Sequence, residues 1–312
     1  MAGRRRQEKA MAGNGRYAAR PRMACEIAAN RVLAARSNDD GSAIELHTSR
    51  PLGAGWVAPG LTAPNVLDRE GLRQAVRAVM EVVTRRSKDV IVVLPDAAVR
   101  VALLDFENLP EKDSDAAALV RFRLRKTLPF DVEHAAVSYH VQQGLAAEGG
   151  RSMQVVAGVA PLSVVEEYES AFRESGYSPG VVMPSMVAAL GVVDARRPTL
   201  VVKADTVTTT VAIVDQHQLR LIRTLESKPG TTGEQLAEEI FPSVVFFQDT
   251  CGADLERVLV GGQAPVAGLE AALEAQTGLH VAELVGAREA GGGLGDSVPP
   301  SALAGVVGAL VA

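Results

Sequence analysis

Residues 91–110 read IVVLPDAAVRVALLDFENLP, and residues 119–139 read LVRFRLRKTLPFDVEHAAVSY. The first stretch opens inside an uninterrupted apolar run, DVIVVLP from position 89, with the length and β-branched content of a buried strand. VRVALLDFENLP (99–110) predicts a second strand. The period then changes: Ala116, Leu119, Val120 and Leu124 fall at i, i+3, i+4 and i+8, which predicts a helix over 114–127. Phe122 widens its apolar stripe, Ser114 is the expected N-cap, and Pro129 limits the far end because the residue before a proline leaves the helical region. Arg121, Arg123, Arg125 and Lys126 crowd into the last turns, where the helix dipole favours cations. Two further strands are expected at 135–143 and 152–160, across a Gly-rich turn. The whole reads as a small β-α-β-β unit inserted into a larger domain.

Outward from this unit, MACEIAANRVLAARS and GSAIELHTSRPL alternate apolar and polar residues and predict a β-hairpin or meander. A helix follows over 67–83, with Asp68 as its N-cap. Helices are expected at 163–176, 183–195, 233–249 and 269–278, two or three strands over 199–226, and a strand at 257–262. GGGLG (291–295) reads as a linker, and SALAGVVGALVA (301–312) as an apolar helix too short to cross a bilayer. The order implies two α/β halves.

The chain has 312 residues, a formal net charge of −5, 47% hydrophobic and 22% charged residues, the composition of a folded globular protein. Aromatics are only 4%, so the core rests on Val, Ala and Leu. The acidic balance gives no overall field for nucleic acid. Residues 1–22 are the exception. They are basic, carry almost no large apolar side chains, and are expected to be disordered, with an attraction to anionic membrane surfaces. Cys25 and Cys251 have no metal or redox spacing and read as small apolar fillers of a reducing compartment. The five histidines form no HxxxH pair, so no metal site is expected. No phosphate-binding P-loop, GxGxxG turn after a strand or GxSxG elbow is present. In VLVGGQAPVAGLEAAL (258–273) a strand runs into Gly261–Gly262, whose backbone can approach either a flat ligand or a packed neighbour.

Taken in order, these pieces resemble the PilM family, the actin-like cytoplasmic components of type IV pilus assembly and relatives of the cell-division protein FtsA. The match runs over roughly residues 23–312 and is strongest across the two stretches quoted first. SVVEEYESAFRESGYSPGVVMPSMVAALGVV and VLVGGQAPVAGLEAAL extend it. The resemblance implies an α/β, actin-like two-domain fold after the 1–22 tail. Domain 1 would span 23–197, with an inserted 1C-type β-α-β-β subdomain at about 89–160. Domain 2 would span 198–312, with a much reduced 2B subdomain at about 224–256.

Actin-like ATPases hold the phosphates and Mg²⁺ with two DxGxxx hairpins. Here Glu26 and Ala28 replace the first Asp and Gly, and Lys203 and Asp205 replace the second pair. An ammonium cannot hold Mg²⁺, and a carboxylate in the turn repels phosphate. The resemblance leaves Glu26, Asn30, Thr208, Thr209, Gly261 and Gly262 as a vestigial cofactor set. No catalytic residues, no metal and no ATP hydrolysis are expected; the alternative is an actin-like protein that binds ATP and Mg²⁺ and keeps residual nucleotide-dependent regulation. PilM proteins bind the cytoplasmic tail of PilN, an inner-membrane protein, between subdomains 1A and 1C. This implies a scaffold of pilus or type II secretion assembly, cytoplasmic and at the inner face of the inner membrane. The expected groove residues are Val99, Val101, Leu103, Arg121, Arg125 and Phe130. A homo-oligomeric ring is a further expectation, with no nucleic acid partner and membrane contact only through partners or the basic tail.

Overall fold

Val90 to Leu94 are all buried, and this run draws its strand into the middle of a sheet around which the first half assembles. The computed structural model describes residues 20–142, 153–295 and 298–311; the expected tail therefore lies, for residues 1–19, outside the described residues. Met23–Ile27 (β1), Arg31–Ser37 (β2) and Ile44–Pro51 (β3) form an antiparallel meander. Helix α1 (Arg69–Val83) follows, and the Asp68 carboxylate accepts the Gly71 amide as its N-cap. Asp89–Leu94 (β4) then lies parallel to β1.

The inserted unit comes next. Arg100–Phe106 (β5), α2 (Asp113–Leu124), Ala135–Gln142 (β6) and Met153–Pro161 (β7) make a separate antiparallel sheet in the order β5-β7-β6. The insertion thus starts after β4, not at residue 89, because β4 is paired on both sides within the first sheet. The α2 helix begins at Asp113, with Lys112 rather than Ser114 at the N-cap position. Only Ala116, Val120 and Leu124 are buried along it. A three-stranded sheet covers a narrow stripe, so Phe122 stands 60% exposed on the far side instead of joining the core.

After α3 (Leu162–Arg173), the chain forms Ser178–Pro184 (β8), parallel to β4, and then the short helix α4 (Ser185–Ala189). The helix expected over 183–195 is therefore shorter. Pro179 and Pro184 lack the amide a helix interior needs, and they are tolerated because β8 is an edge strand.

In the second half, Thr199–Ala204 (β9), Thr208–Asp215 (β10) and Gln218–Glu226 (β11) form another meander. Helix α5 (Gly233–Cys251), with a Thr232/Gln235 capping box, is the one helix between β11 and Arg257–Gly261 (β12). Cys251 is exposed, not a core filler. Helix α6 (Leu269–Thr277) and Val281–Glu283 (β13) follow. The five strands of this sheet run β11-β10-β9-β12-β13, and five of the first run β3-β2-β1-β4-β8. Each half is thus three antiparallel strands followed by two parallel ones.

The end of the chain departs from the expected boundary at 197/198. After the short helix α7 (Ala287–Ala290), Gly292–Gly295 (β14) pairs in parallel with β3 of the first sheet. It is a strand, not a linker. A Cβ on Gly293 would sit 2.9 Å from the His47 ring, so a glycine is what lets β14 approach. Helix α8 (Ala304–Val311) is apolar on every side and lies in a core shared by both sheets, with Ala24, Ile91, Val201 and Ala212. A Cβ on Gly308 would strike the Ala188 carbonyl, which fixes how closely α8 meets α4.

Candidate functional site

Four charged side chains converge between the two halves, near the C-terminal ends of parallel strands, where ligands of α/β sheets usually sit. Glu26 is in β1, Asp96 follows β4, and Lys203 and Asp205 lie in and just after β9. The Lys203 side chain is 0% exposed and Glu26 is 2% exposed. Its ammonium pairs with Asp205 and stands 3.4 Å from Glu26 Oε1. The Ser185 hydroxyl, at the start of α4, donates to the same Glu26 oxygen. Asp205 accepts the Gln263 amide at 3.0 Å through its other oxygen, and Asp96 accepts the Met186 amide at 2.8 Å. The cluster therefore ties β1 of the first half to β9 and the β12 turn of the second.

Burial alone would discharge Lys203, but the carboxylates of Asp205, Glu26 and Asp96 outweigh it and hold the ammonium protonated, with its pKa above the ordinary value. Burial pushes the carboxyls of Glu26 and Asp96 upward, and Lys203 opposes this. A divalent cation placed among these carboxylates would stand beside the ammonium and be repelled by it. Helix α8 closes the same space: a Cβ on Gly305 would lie 2.5 Å from Glu26 Oε2.

The other residues expected at a vestigial cofactor site are engaged by the chain itself. Gly262 has φ +115°, and a Cβ there would run into the Ala204 carbonyl, while its amide donates to the Ser301 carbonyl at 3.0 Å. A Cβ on Gly261 would meet Leu284 at 2.9 Å. Thr208 and Thr209 are buried at the start of β10, and the Thr208 carbonyl accepts the Asp205 amide at 2.8 Å. The Asn30 carbonyl accepts the Leu52 amide at 2.8 Å, which joins the β1–β2 turn to the end of β3. Asp96, Ser185 and Gly305 join the cluster without a motif to mark them in the sequence. Each is a single small or polar residue in a loop or an apolar run, and only the fold gathers them.

A second feature lies between the insertion and the first sheet. An apolar groove of about 180 Å³ is lined by Val99, Val137, Val159, Val165, Val182 and Met183, with Gly158 among them. Its flanks are β6 and β8, each the terminal strand of its sheet. A Cβ on Gly158 would meet nothing within 4 Å, so the middle of β7 opens onto the groove. Val99 lines it, and Val101 lies directly opposite Gly158 in the β5–β7 register. The other expected groove residues are elsewhere. Leu103 packs into the core shared by the two halves. The Arg121 guanidinium donates to the Val132 and Ala135 carbonyls at 2.9 and 3.1 Å and braces the insertion. Phe130 packs within the insertion core, and Arg125 is exposed beyond α2.

The order of strands, repeated in two halves that share a core and enclose a buried cluster, matches solved structures. A chain of a PilM–PilN type IV pilus biogenesis complex superposes with a TM-score of 0.75 at 19% identity, over 93% of this chain and 98% of that one. The fold is actin-like. Two further solved structures resemble it less. The cytoplasmic domain of EpsL, an inner-membrane component of the type II secretion system of Vibrio cholerae, gives 0.49 at 12% identity, over 93% and 92%. A Bacteroides thetaiotaomicron protein with an actin-like ATPase fold and unknown function gives 0.47 at 8% identity, over 83% and 90%. No protein-family model and no curated protein matches the sequence. Among the described residues, no helix of this actin-like chain is long and apolar enough to cross a membrane.

Proposed function

We propose that this protein is a scaffold of type IV pilus assembly, or of a related type II secretion machine, and that it binds the cytoplasmic tail of a PilN-like inner-membrane protein. The observation that carries the proposal is the groove between insertion and first sheet. It is apolar, open at Gly158, and bordered by two strand edges. An extended peptide can add backbone hydrogen bonds to such an edge while its alternate side chains fill the apolar floor. The likeness in fold to a chain of a PilM–PilN complex supports the choice of partner. The test is fluorescence anisotropy of a labelled peptide spanning the tail of a PilN-like protein from the same genome. Saturable micromolar binding is expected; no binding at any attainable concentration removes this function.

The scaffold works without nucleotide turnover in this reading. Lys203 supplies from within the chain a positive charge where a nucleotide's Mg²⁺ ion would otherwise stand between the two halves, and the ammonium repels a metal at that place. Titration calorimetry with Mg·ATP should give no saturable heat and no phosphate release. Micromolar binding would instead support the alternative, an actin-like protein with nucleotide-dependent regulation.

A further inference from the structure

A cavity of about 780 Å³ lies away from both the cleft and the groove. It opens beside Met23 and Asp89, at the starts of β1 and β4, whereas Glu26 and Asp96 lie toward and beyond the other ends of those strands. Arg20, Arg22, Arg36, Arg85 and Arg86 line it. Arg22 pairs with Asp39 at 2.5 Å, and Arg36 and Arg85 share Glu45 at 3.1 and 2.5 Å. Arg20 donates to the Ala309 carbonyl at 2.6 Å, and Arg86 has no ion-pair partner among the described residues. Arg20 aside, the carboxylates of Asp39, Glu45 and Asp89 face the four guanidiniums of Arg22, Arg36, Arg85 and Arg86, so one positive charge is in excess in a chain whose net charge is −5. Arg22 and Arg85 are about half exposed, and exposed pairs of this kind exchange partners at little cost.

We propose that this arginine pocket binds the phosphate of an anionic lipid headgroup and sets this end of the molecule against a membrane surface. Guanidinium forks match phosphate oxygens in pairs. The charge of the preceding sequence favours a lipid surface over a small soluble phosphate. Residues 1–19 carry Arg4, Arg5, Arg6, Lys9 and Arg16 against the single acid Glu8, and they lead directly into Arg20. A soluble ligand uses only the pocket, while a bilayer also attracts the cations that precede it.

The test is flotation of the full chain with vesicles of pure phosphatidylcholine or of phosphatidylcholine containing one third phosphatidylglycerol. Binding to the anionic vesicles alone is expected. Arg85→Glu with Arg86→Glu should weaken it by at least about tenfold, while Arg125→Glu with Lys126→Glu, the same charge change on the insertion, should change it less than about twofold. Absence of binding to anionic vesicles, equal losses in the two variants, or a pocket variant that binds like the parent each overturns the proposal. So does calorimetric binding of inorganic pyrophosphate without vesicle binding, which reassigns the phosphate to a soluble compound. Gly158→Leu should leave vesicle binding unchanged, so this site and the tail groove fail or stand separately.

Discussion

Lys203→Met will lower the unfolding free energy by about 3–5 kcal/mol, the cost of removing one partner from a buried ion cluster. The side chains of Lys203 and Glu26 have almost no access to water, and Asp96 is buried beside them. Without the ammonium, Glu26, Asp96 and Asp205 are left to repel one another in a medium that screens poorly. Denaturant unfolding followed through Trp56, the sole tryptophan, measures the loss. The loss depends on pH in a definite direction. Burial raises the carboxyl pKa values of Glu26 and Asp96 in the folded chain. The penalty of ionising them is therefore absent below their ordinary range and grows as pH rises through the folded-state values. The deficit of the variant should shrink as pH falls from 8 towards 5. For the parent, the contribution of Lys203 is complete below its ordinary value of 10.5 and is lost only above it. Combining Lys203→Met with Glu26→Gln, Asp96→Asn and Asp205→Asn should recover much of the stability, because a neutral cluster no longer needs a counterion. A Lys203→Met protein as stable as the parent would remove the clamp between the halves.

Gly158→Leu should weaken binding of a PilN-like tail by about 100-fold or more and leave the fold intact. The two effects separate because of local geometry. The position is in β7, the central strand of the insertion sheet, and a new Cβ there meets nothing within 4 Å. The rest of a leucine side chain would extend into the 180 Å³ groove and fill much of it. Replacing a strand glycine also lowers the entropy lost on folding, so stability should hold or rise by about 0.5–1 kcal/mol. A folded variant that binds the tail like the parent places the tail elsewhere.

Much of this fold is legible in the residues. The alternating apolar pattern of β1–β3, the 3.6-residue period of α1 and the Asp68 cap are local signals, and the chain honours them. The identities at Glu26, Lys203 and Asp205 already mark the cleft as unlike a DxG pair. Other features have no local signal. β8 merges into α4 because GVVMPSMVAAL is apolar throughout, and only the sheet edge decides where extension stops. β14 is largely glycine and carries no propensity of its own; the free edge of β3 and the space against His47 make it a strand. The insertion of α8 between the two sheets is a tertiary choice that composition leaves open. Arg121 has the charge of a docking residue, but two backbone carbonyls of the insertion claim its guanidinium. Gly158 is invisible as a site until its neighbours leave it an open face.

The most direct test of the account is anisotropy of the labelled tail peptide against the parent protein, with and without saturating Mg·ATP. A single saturable isotherm, identical in both conditions, is the result predicted for a scaffold whose halves are held by Lys203. A tail that fails to bind, or binds with an affinity that Mg·ATP alters severalfold, contradicts it.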